Sequence, residues 1–308
     1  MSKIFIRLLS CLLITSCTFD YDIKDTGYLF TPKIVVNGLI SESDQNILYF
    51  TQSVPKMSDR LKPIDNARLI LHESNQLLLD STFIKLDTLK LDFPFRMGRE
   101  YRIELHAQDH KIHSSAVVPF PHKLKVDTVS RMSENNFYQR DFWKITVDLQ
   151  TVSPGNSLWI KGDIYNGDGT IDRRYTLEYK GVVPFADKIN QEIVMGLEGG
   201  LYYNGFIRIG KQYLSDIKKP FEFGMNNIYY GKHIKLQFLT VPESYDRYLI
   251  NCYEFEKMYL QDLDPPSMFN SSVPIFSNIE GGLGLFSGVQ SYSINLENPY
   301  YSDDSDDI

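Results

Sequence analysis

YRIELHAQDHKIHSSAVVPFP, residues Tyr101–Pro121, is the stretch that decides the fold. Tyr101, Ile103, Leu105 and Ala107 alternate with Arg102, Glu104 and His106. That period of two marks a strand with one face on a core and the other in water. A turn at Gln108-Asp109-His110 reverses the chain, and Ile112–Val118 is a second strand. An isolated hairpin is marginal in water, so further strands must flank this one. Pro119-Phe120-Pro121 closes the unit as a stiff linker.

Upstream residues supply those strands. Ile34-Val35-Val36 runs into Asn37-Gly38, read as a strand followed by a turn signal. Ile47–Thr51, Ala67–His72, Gln76–Phe83 and Thr88–Phe93 are further strand candidates, with a polar, Pro-bounded loop at Ser53–Pro63. Short strands at this spacing, without helical periodicity between them, predict an immunoglobulin- or transthyretin-like β-sandwich over residues 31–121.

Downstream the strand pattern continues. Phe142–Thr151 and Ser157–Tyr165 read as a strand pair, and Asn166-Gly167-Asp168-Gly169 as a hairpin turn into Asp172–Tyr179. Glu192–Met195, Phe206–Gly210 and Ile234–Thr240 follow. Then Tyr245, Tyr248, Leu249, Cys252, Phe255 and Tyr259 recur at helical spacing. Thr240 and Glu243 have the spacing of a capping box, and Asp264-Pro265-Pro266 is a stop. The expectation is one amphipathic helix near 241–263, its apolar stripe buried and Asp246, Arg247, Asn251, Glu254 and Lys257 largely elsewhere. Leu283–Phe286 and Gln290–Leu296 return to strand. The fold class is mostly β: the sandwich at 31–121, then a second β domain at 122–298 with one packed helix. Residues 299–308 are an acidic tail expected to be disordered.

The other end of the chain speaks to location. Lys3 and Arg7 precede the short apolar run Leu8–Ile14, and Thr15-Ser16 are small. This is the layout of a secretory signal peptide over residues 1–16. Ile14-Thr15-Ser16-Cys17 resembles a lipobox, which implies that Cys17 becomes the first mature residue and is acylated. Residues 17–30 then form a lipidated tether. Asp20, Asp22 and Asp25 resemble the surface-export signals of Bacteroidota lipoproteins. No later stretch has the ~18 uninterrupted apolar residues of a membrane-spanning helix.

Net charge is −7 with no basic cluster, which argues against nucleic acid as a partner. With Cys11 in the signal peptide and Cys17 acylated, Cys252 stands alone, so neither a disulfide framework nor a Cys-based zinc site is expected. The chain carries 20 Tyr and 19 Phe, residues that favour strands.

Four features carry possible chemistry. In HAQDHKIH, a turn over Gln108–Lys111 would set His106 and His113 opposite each other, a weak candidate pair for Zn²⁺ or Cu²⁺ with Asp109 or His110. The plainer reading is an exposed hairpin face, since no zinc signature has this spacing. Asn166–Asp172 resembles part of a calcium loop, but Ile164 and Tyr175 occupy positions that need carboxylates. A Gly-rich hairpin explains those residues. Glu280–Gly284 lacks the Lys-Ser/Thr of a P-loop, so tight turns or close backbone approach account better for its glycines. Cys252 lies on the apolar helix face without a sequence-adjacent histidine and reads as a buried, inert thiol.

Several segments together carry a family resemblance: the lipobox, IVVNGLIS (Ile34–Ser41), Asn66-Ala67, the Tyr101–Pro121 hairpin, ESYDRYLINCYE (Glu243–Glu254) and SNIEGGLGLFSG (Ser277–Gly288). They resemble a family of Bacteroidota outer-membrane lipoproteins of unknown function, often encoded beside TonB-dependent receptors. No catalytic residues are defined for that family. The resemblance implies an outer-membrane, outward-facing lipoprotein, without cofactor or enzymatic activity, that serves a TonB-dependent receptor β-barrel as an accessory or ligand-binding subunit. A structural or adhesive surface lipoprotein, and a surface hydrolase, are the alternatives.

Cys17→Ala should move the protein from the membrane to the soluble fraction, because it removes every acyl chain. Detergent partitioning measures this; persistence on membranes after a high-salt wash would show that something other than lipid holds it.

Overall fold

In a computed structural model, the described residues are 31–43, 45–54, 60–107, 109–133, 141–166, 168–171, 178–180, 202–204, 206–217, 220–226, 233–261 and 275–297. Residues 1–30, read above as signal peptide and tether with Cys17 between them, lie outside these, as do Glu192–Met195, Asp264-Pro265-Pro266 and residues 299–308. Lys33–Ile308 is one compact unit, and it contains two separate hydrophobic cores. The protein is mostly β.

The first core lies between two four-stranded sheets. One sheet has the order β16 (Leu283–Gly288), β1 (Ile34–Ile40), β2 (Asn46–Gln52), β5 (Thr88–Leu91). The other runs β4 (Gln76–Leu86), β3 (Ile64–Glu73), β6 (Glu100–Ala107), β7 (His110–Val117). Alternation produces this core directly. Tyr101, Ile103, Leu105 and Ala107 point inward from β6, and Ile34, Val36 and Ile40 from β1. Tyr101 is the largest fully buried side chain. Its hydroxyl accepts from the Arg96 N–H at 2.7 Å and donates to Glu73 at 3.0 Å. The carboxylate of Glu73 is in turn paired with the Arg96 guanidinium, so the buried polar group is satisfied.

Asn37-Gly38 is not a turn. Strand β1 continues through it, with Asn37 opposite Tyr49 and Gly38 opposite Leu48. Glycine is there for packing: a Cβ on Gly38 would lie 2.2 Å from Leu48 Cδ2. The Asn37 Oδ1 accepts the Leu285 N–H at 3.2 Å, tying β1 to β16.

The Ser277–Gly288 segment, far away in sequence, completes this first sandwich. Glu280 exchanges backbone hydrogen bonds with His113 at the free edge of β7, at 2.9 and 3.2 Å. The chain then turns and β16 pairs in parallel with β1. Asn278 holds the turn, accepting from the Phe286 N–H at 2.9 Å and donating to the Phe286 carbonyl at 2.7 Å. Gly281 and Gly284, with φ of 79° and 108°, make the path possible. A Cβ on Gly284 would lie 2.1 Å from the Val36 carbonyl oxygen, and one on Gly281 2.5 Å from that of Lys111. Close backbone approach thus accounts for these glycines.

The second core lies between a four-stranded and a five-stranded sheet. The first has the order β13 (Phe206–Ile209), β10 (Ser157–Tyr165), β15 (His233–Val241), β17 (Gln290–Glu297). The second runs β12 (Tyr202–Asn204), β11 (Glu178–Lys180), β14 (Phe221–Asn226), β9 (Asp141–Thr151), β8 (Lys123–Ser133). The expected pairing of Phe142–Thr151 with Ser157–Tyr165 does not form. β9 pairs with β8 and β14, while β10 pairs with β13 and β15. The short Val152–Asn156 connection carries the chain from one sheet to the other instead of closing a hairpin.

Two helices are present among the described residues, α1 (Lys211–Leu214) and α2 (Glu243–Gln261). α2 matches the expected helix, but its start differs. Thr240 belongs to β15, and its hydroxyl accepts the His122 N–H at 2.8 Å. Glu243 bonds to Lys211 Nζ at 2.6 Å rather than reaching back as a capping-box acid. The Pro242 carbonyl accepts the Asp246 N–H, so Pro242 is the residue at which the helix begins. The side chains of Phe255 and Tyr259 lie outside the described residues.

Candidate ligand groove

Helix α2 faces both sandwiches. Toward the second it presents Asp246, only 6% exposed and not on the solvent side where its sequence position suggested. Its carboxylate accepts from Trp159 Nε1 at 2.7 Å, Arg208 Nε at 2.8 Å, Ser157 Oγ at 3.0 Å and Arg208 Nη2. β10 explains the position. Ser157, Leu158, Trp159 and Ile160 are buried consecutively, the pattern of a strand covered on both faces. Leu158 and Ile160 enter the second core, while Ser157 and Trp159 meet the helix. The Trp159 ring also packs on Phe206, with centroids 4.5 Å apart.

His122 adjoins this network through Ser157. Its Nδ1 accepts the Ser153 N–H at 3.0 Å, so the ring proton sits on Nε2, 3.3 Å from the Ser157 carbonyl it faces. Burial pushes the imidazole pKa down to about 4, against a weaker upward pull from the Ser157 carbonyl. The ring is therefore a neutral strut between the linker and the second sandwich.

Toward the first sandwich, α2 lies along the outward face of the β16–β1–β2 sheet. Ser244 Oγ and Ser287 Oγ are 3.0 Å apart, and Leu285, which points outward from β16, is 3% exposed. Arg247 stacks over Phe276 at 4.4 Å, and Asn251 accepts the Phe276 N–H at 3.0 Å. The helix thus covers β16 and leaves a groove of about 450 Å³ beside β1 and β2. Its aliphatic lining is Leu39, Ile47, Leu249 and Leu285. Tyr49, Tyr245 and Tyr248 add rings, and Asn37 and Gln45 add carboxamides. Leu39 and Ile47 are directly opposed, as are Asn37 and Tyr49. An outward-facing sheet surface in water would be polar. This one carries leucine, isoleucine and a tyrosine that is 52% exposed, beside a helix that does not fill the space.

The phenols of Tyr245 and Tyr248 remain neutral donors at physiological pH. Burial raises both, Tyr248 to about 12, with the neighbouring Cys252 adding to each. Tyr248 also shares a hydrogen bond with the Cys252 thiol. Cys252 is half-buried rather than fully enclosed.

The histidine pair looks different from its expected arrangement. Ala107 pairs with His110, two residues short of the Ile112 partner that a Gln108–Lys111 turn requires. His106 therefore lies opposite Lys111, and His113 opposite Glu104, so the imidazoles are offset diagonally. His113 Nε2 is 2.6 Å from Glu280, and His106 is 3.6 Å from Glu104. Among the described residues, no three His, Cys, Asp or Glu side chains gather where a metal could sit. A polar pocket of about 510 Å³ adjoins these residues; in its lining Glu104 lies against Lys111, His113 against Glu280, and Arg102 donates to the Ser74 carbonyl at 2.7 Å. At the other motif, Asp168 accepts from the Thr170 N–H at 2.9 Å and hydroxyl at 2.7 Å, which is turn chemistry. Asp172 lies outside the described residues.

The features define a two-sandwich β protein with a tyrosine-lined groove under a bridging helix. Residues 17–295 match the family described as Domain of unknown function (DUF4249), and the chain belongs to that family. No curated protein matches it.

Asp246→Asn should cost about 3–5 kcal/mol, because it leaves the buried Arg208 guanidinium without its counter-charge. Urea denaturation measures this, and an Asp246→Leu/Arg208→Met double variant should recover much of the loss. His122 predicts a pH effect of defined sign. Its folded pKa lies below the ordinary value of 6.5, so its contribution is complete above pH 6.5 and fades as pH falls toward about 4. The loss should approach about 3 kcal/mol at the acid end. Denaturation of wild type and His122→Gln at pH 7, 5.5 and 4.5 isolates it, since only the wild type should carry this component.

Proposed function

We propose that this chain is a lipid-anchored protein on the outer face of a Bacteroidota outer membrane. There it acts as a non-enzymatic, ligand-binding accessory subunit of a TonB-dependent uptake system. The observation that carries the reading is the groove. Its size falls within the roughly 300–1,000 Å³ of small-molecule sites, and its lining combines apolar surface with a few polar groups. Among the described residues, no carboxylate, imidazole or amine lines it. Histidine and carboxylates are the usual general acids and bases, and burial holds the Tyr245 and Tyr248 phenols neutral, so the lining suits binding better than proton transfer. The lipobox ending at Cys17 and the acidic residues Asp20, Asp22 and Asp25 support the anchor and its outward orientation.

One observation favours an adhesive role as a second reading. β4 is an eleven-residue edge strand with Leu77 53% and Ile84 81% exposed. Such an edge can pair with a strand of another molecule.

Purification of the tagged, full-length lipoprotein in mild detergent tests the choice. Under the uptake reading a β-barrel receptor co-purifies, and Ile84→Lys leaves that association intact. Recovery of only self-associated lipoprotein, dispersed by Ile84→Lys, would replace the uptake reading with the adhesive one.

A further inference from the structure

We infer that the groove between α2 and the outward face of β1 and β2 takes an uncharged, polyhydroxylated ligand, the chemistry of a neutral saccharide. The inference rests on the reading of this groove as a ligand seat and adds the class of ligand.

Three properties of the lining lead there. The first is charge. Among the described residues, none that lines the groove carries a formal charge. A carboxylate, phosphate or ammonium entering it would lose hydration and meet no counter-charge. The second is the polar inventory. Beside the aliphatic side chains, the residues that line it bring the phenols of Tyr49 and Tyr245, the Gln45 carboxamide and the amino group of Asn37. An acyl chain would cover these groups and leave them without partners, at about 1–3 kcal/mol for each group fully buried. A ligand bearing many hydroxyls can both donate to and accept from them. The third is shape and surface. Tyrosine rings offer flat apolar faces with a polar tip. A pyranose ring has the matching construction, with C–H faces for the rings and a hydroxyl rim for phenols and amides.

The seat is held from behind. The Asn37 Oδ1 is taken by the Leu285 N–H, so this carboxamide offers its amino group as donor. Tyr248 is tied to Cys252 one helical turn on. Asp246, held by Trp159, Ser157 and Arg208, fixes the helix that carries Tyr245 and Tyr248. Tyr49 comes from the opposite wall and is the most exposed ring, so its removal should leave the fold intact.

Calorimetric titration of the detergent-solubilised full chain tests the inference. The probes are maltohexaose, cellohexaose, mannohexaose and chitohexaose. The counter-probes are oligogalacturonate, a neutral hexapeptide and decanoate. At least one neutral saccharide should bind saturably, and oligogalacturonate and decanoate should not. Tyr49→Ala should weaken binding about tenfold or more with an unchanged melting temperature, and Tyr49→Phe should stay within about threefold. Gln45→Ala, at an exposed loop position, should also weaken it and serves if Tyr49→Ala fails to fold. Saturable binding of the peptide or decanoate with no saccharide bound would overturn the inference. So would the absence of any saccharide binding up to millimolar concentration, or saccharide binding that survives Tyr49→Ala and Gln45→Ala unchanged. A receptor barrel that still co-purifies in those cases leaves the uptake reading standing, and only the ligand class falls.

Discussion

Asp246 holds the molecule's parts in relation. One carboxylate, nearly out of water, receives hydrogen bonds from Trp159, Ser157 and Arg208, so the helix that bears it has one seat on the second sandwich. Burying an ion pair gains little stability over a well-packed apolar contact, but breaking it costs much. It therefore acts as a register device. The same helix, so fixed, reaches across to the first sandwich through Ser244 and Ser287 and over Phe276 through Arg247 and Asn251. Ser157 extends the constraint to His122, whose neutral ring bridges two backbone groups just past the Pro119-Phe120-Pro121 linker.

The second constraint is the return of the chain at Ser277–Gly288. This segment bridges to the edge of β7 at His113 and then adds β16 beside β1, so that β1 is paired on both sides. It also builds the groove, because Leu285 forms part of its floor and Asn37 is oriented by the Leu285 N–H. The glycines here serve the seat indirectly. They let β16 come close enough to β1 for α2 to lie against a continuous sheet face. Function, in the reading proposed, belongs to surface left over when structural elements meet, with rigid walls supplied by two sandwiches.

The local pattern was readable wherever one strand face meets a core. Tyr101, Ile103, Leu105 and Ala107 are buried as their alternation required, and Tyr245 through Cys252 do lie on a helix. Local signals mislead where they have a competing tertiary use. Asn37-Gly38 resembles a turn, yet glycine there makes room for Leu48 and the asparagine serves β16. Thr240 and Glu243 resemble a capping box, yet their side chains bond His122 and Lys211. The histidine pair depended on a hairpin register, and a shift of two residues put His106 opposite Lys111 and His113 opposite Glu104. Leu39, Ile47 and Tyr49 alternate with the core positions of β1 and β2, so apolar residues occupy both faces. That pattern announces a covered outer face without saying what covers it.

The sequence by itself determined the strand-rich fold class, the hairpin within Tyr101–Pro121, a helix near 241–263, and tight turns or close backbone approach as the use of the glycines in Glu280–Gly284. These follow from periods of two and 3.6 and from backbone space, which are local properties. Only the tertiary structure decided that β9 and β10 part into different sheets and that Leu283–Gly288 joins the first sandwich. It alone showed that Asp246 is buried against Arg208 and that Asn37, Tyr49, Tyr248 and Leu285 share one groove. Those relations join residues far apart in the chain. Contacts at that range depend on the complete packing of the sheets, which no local period encodes.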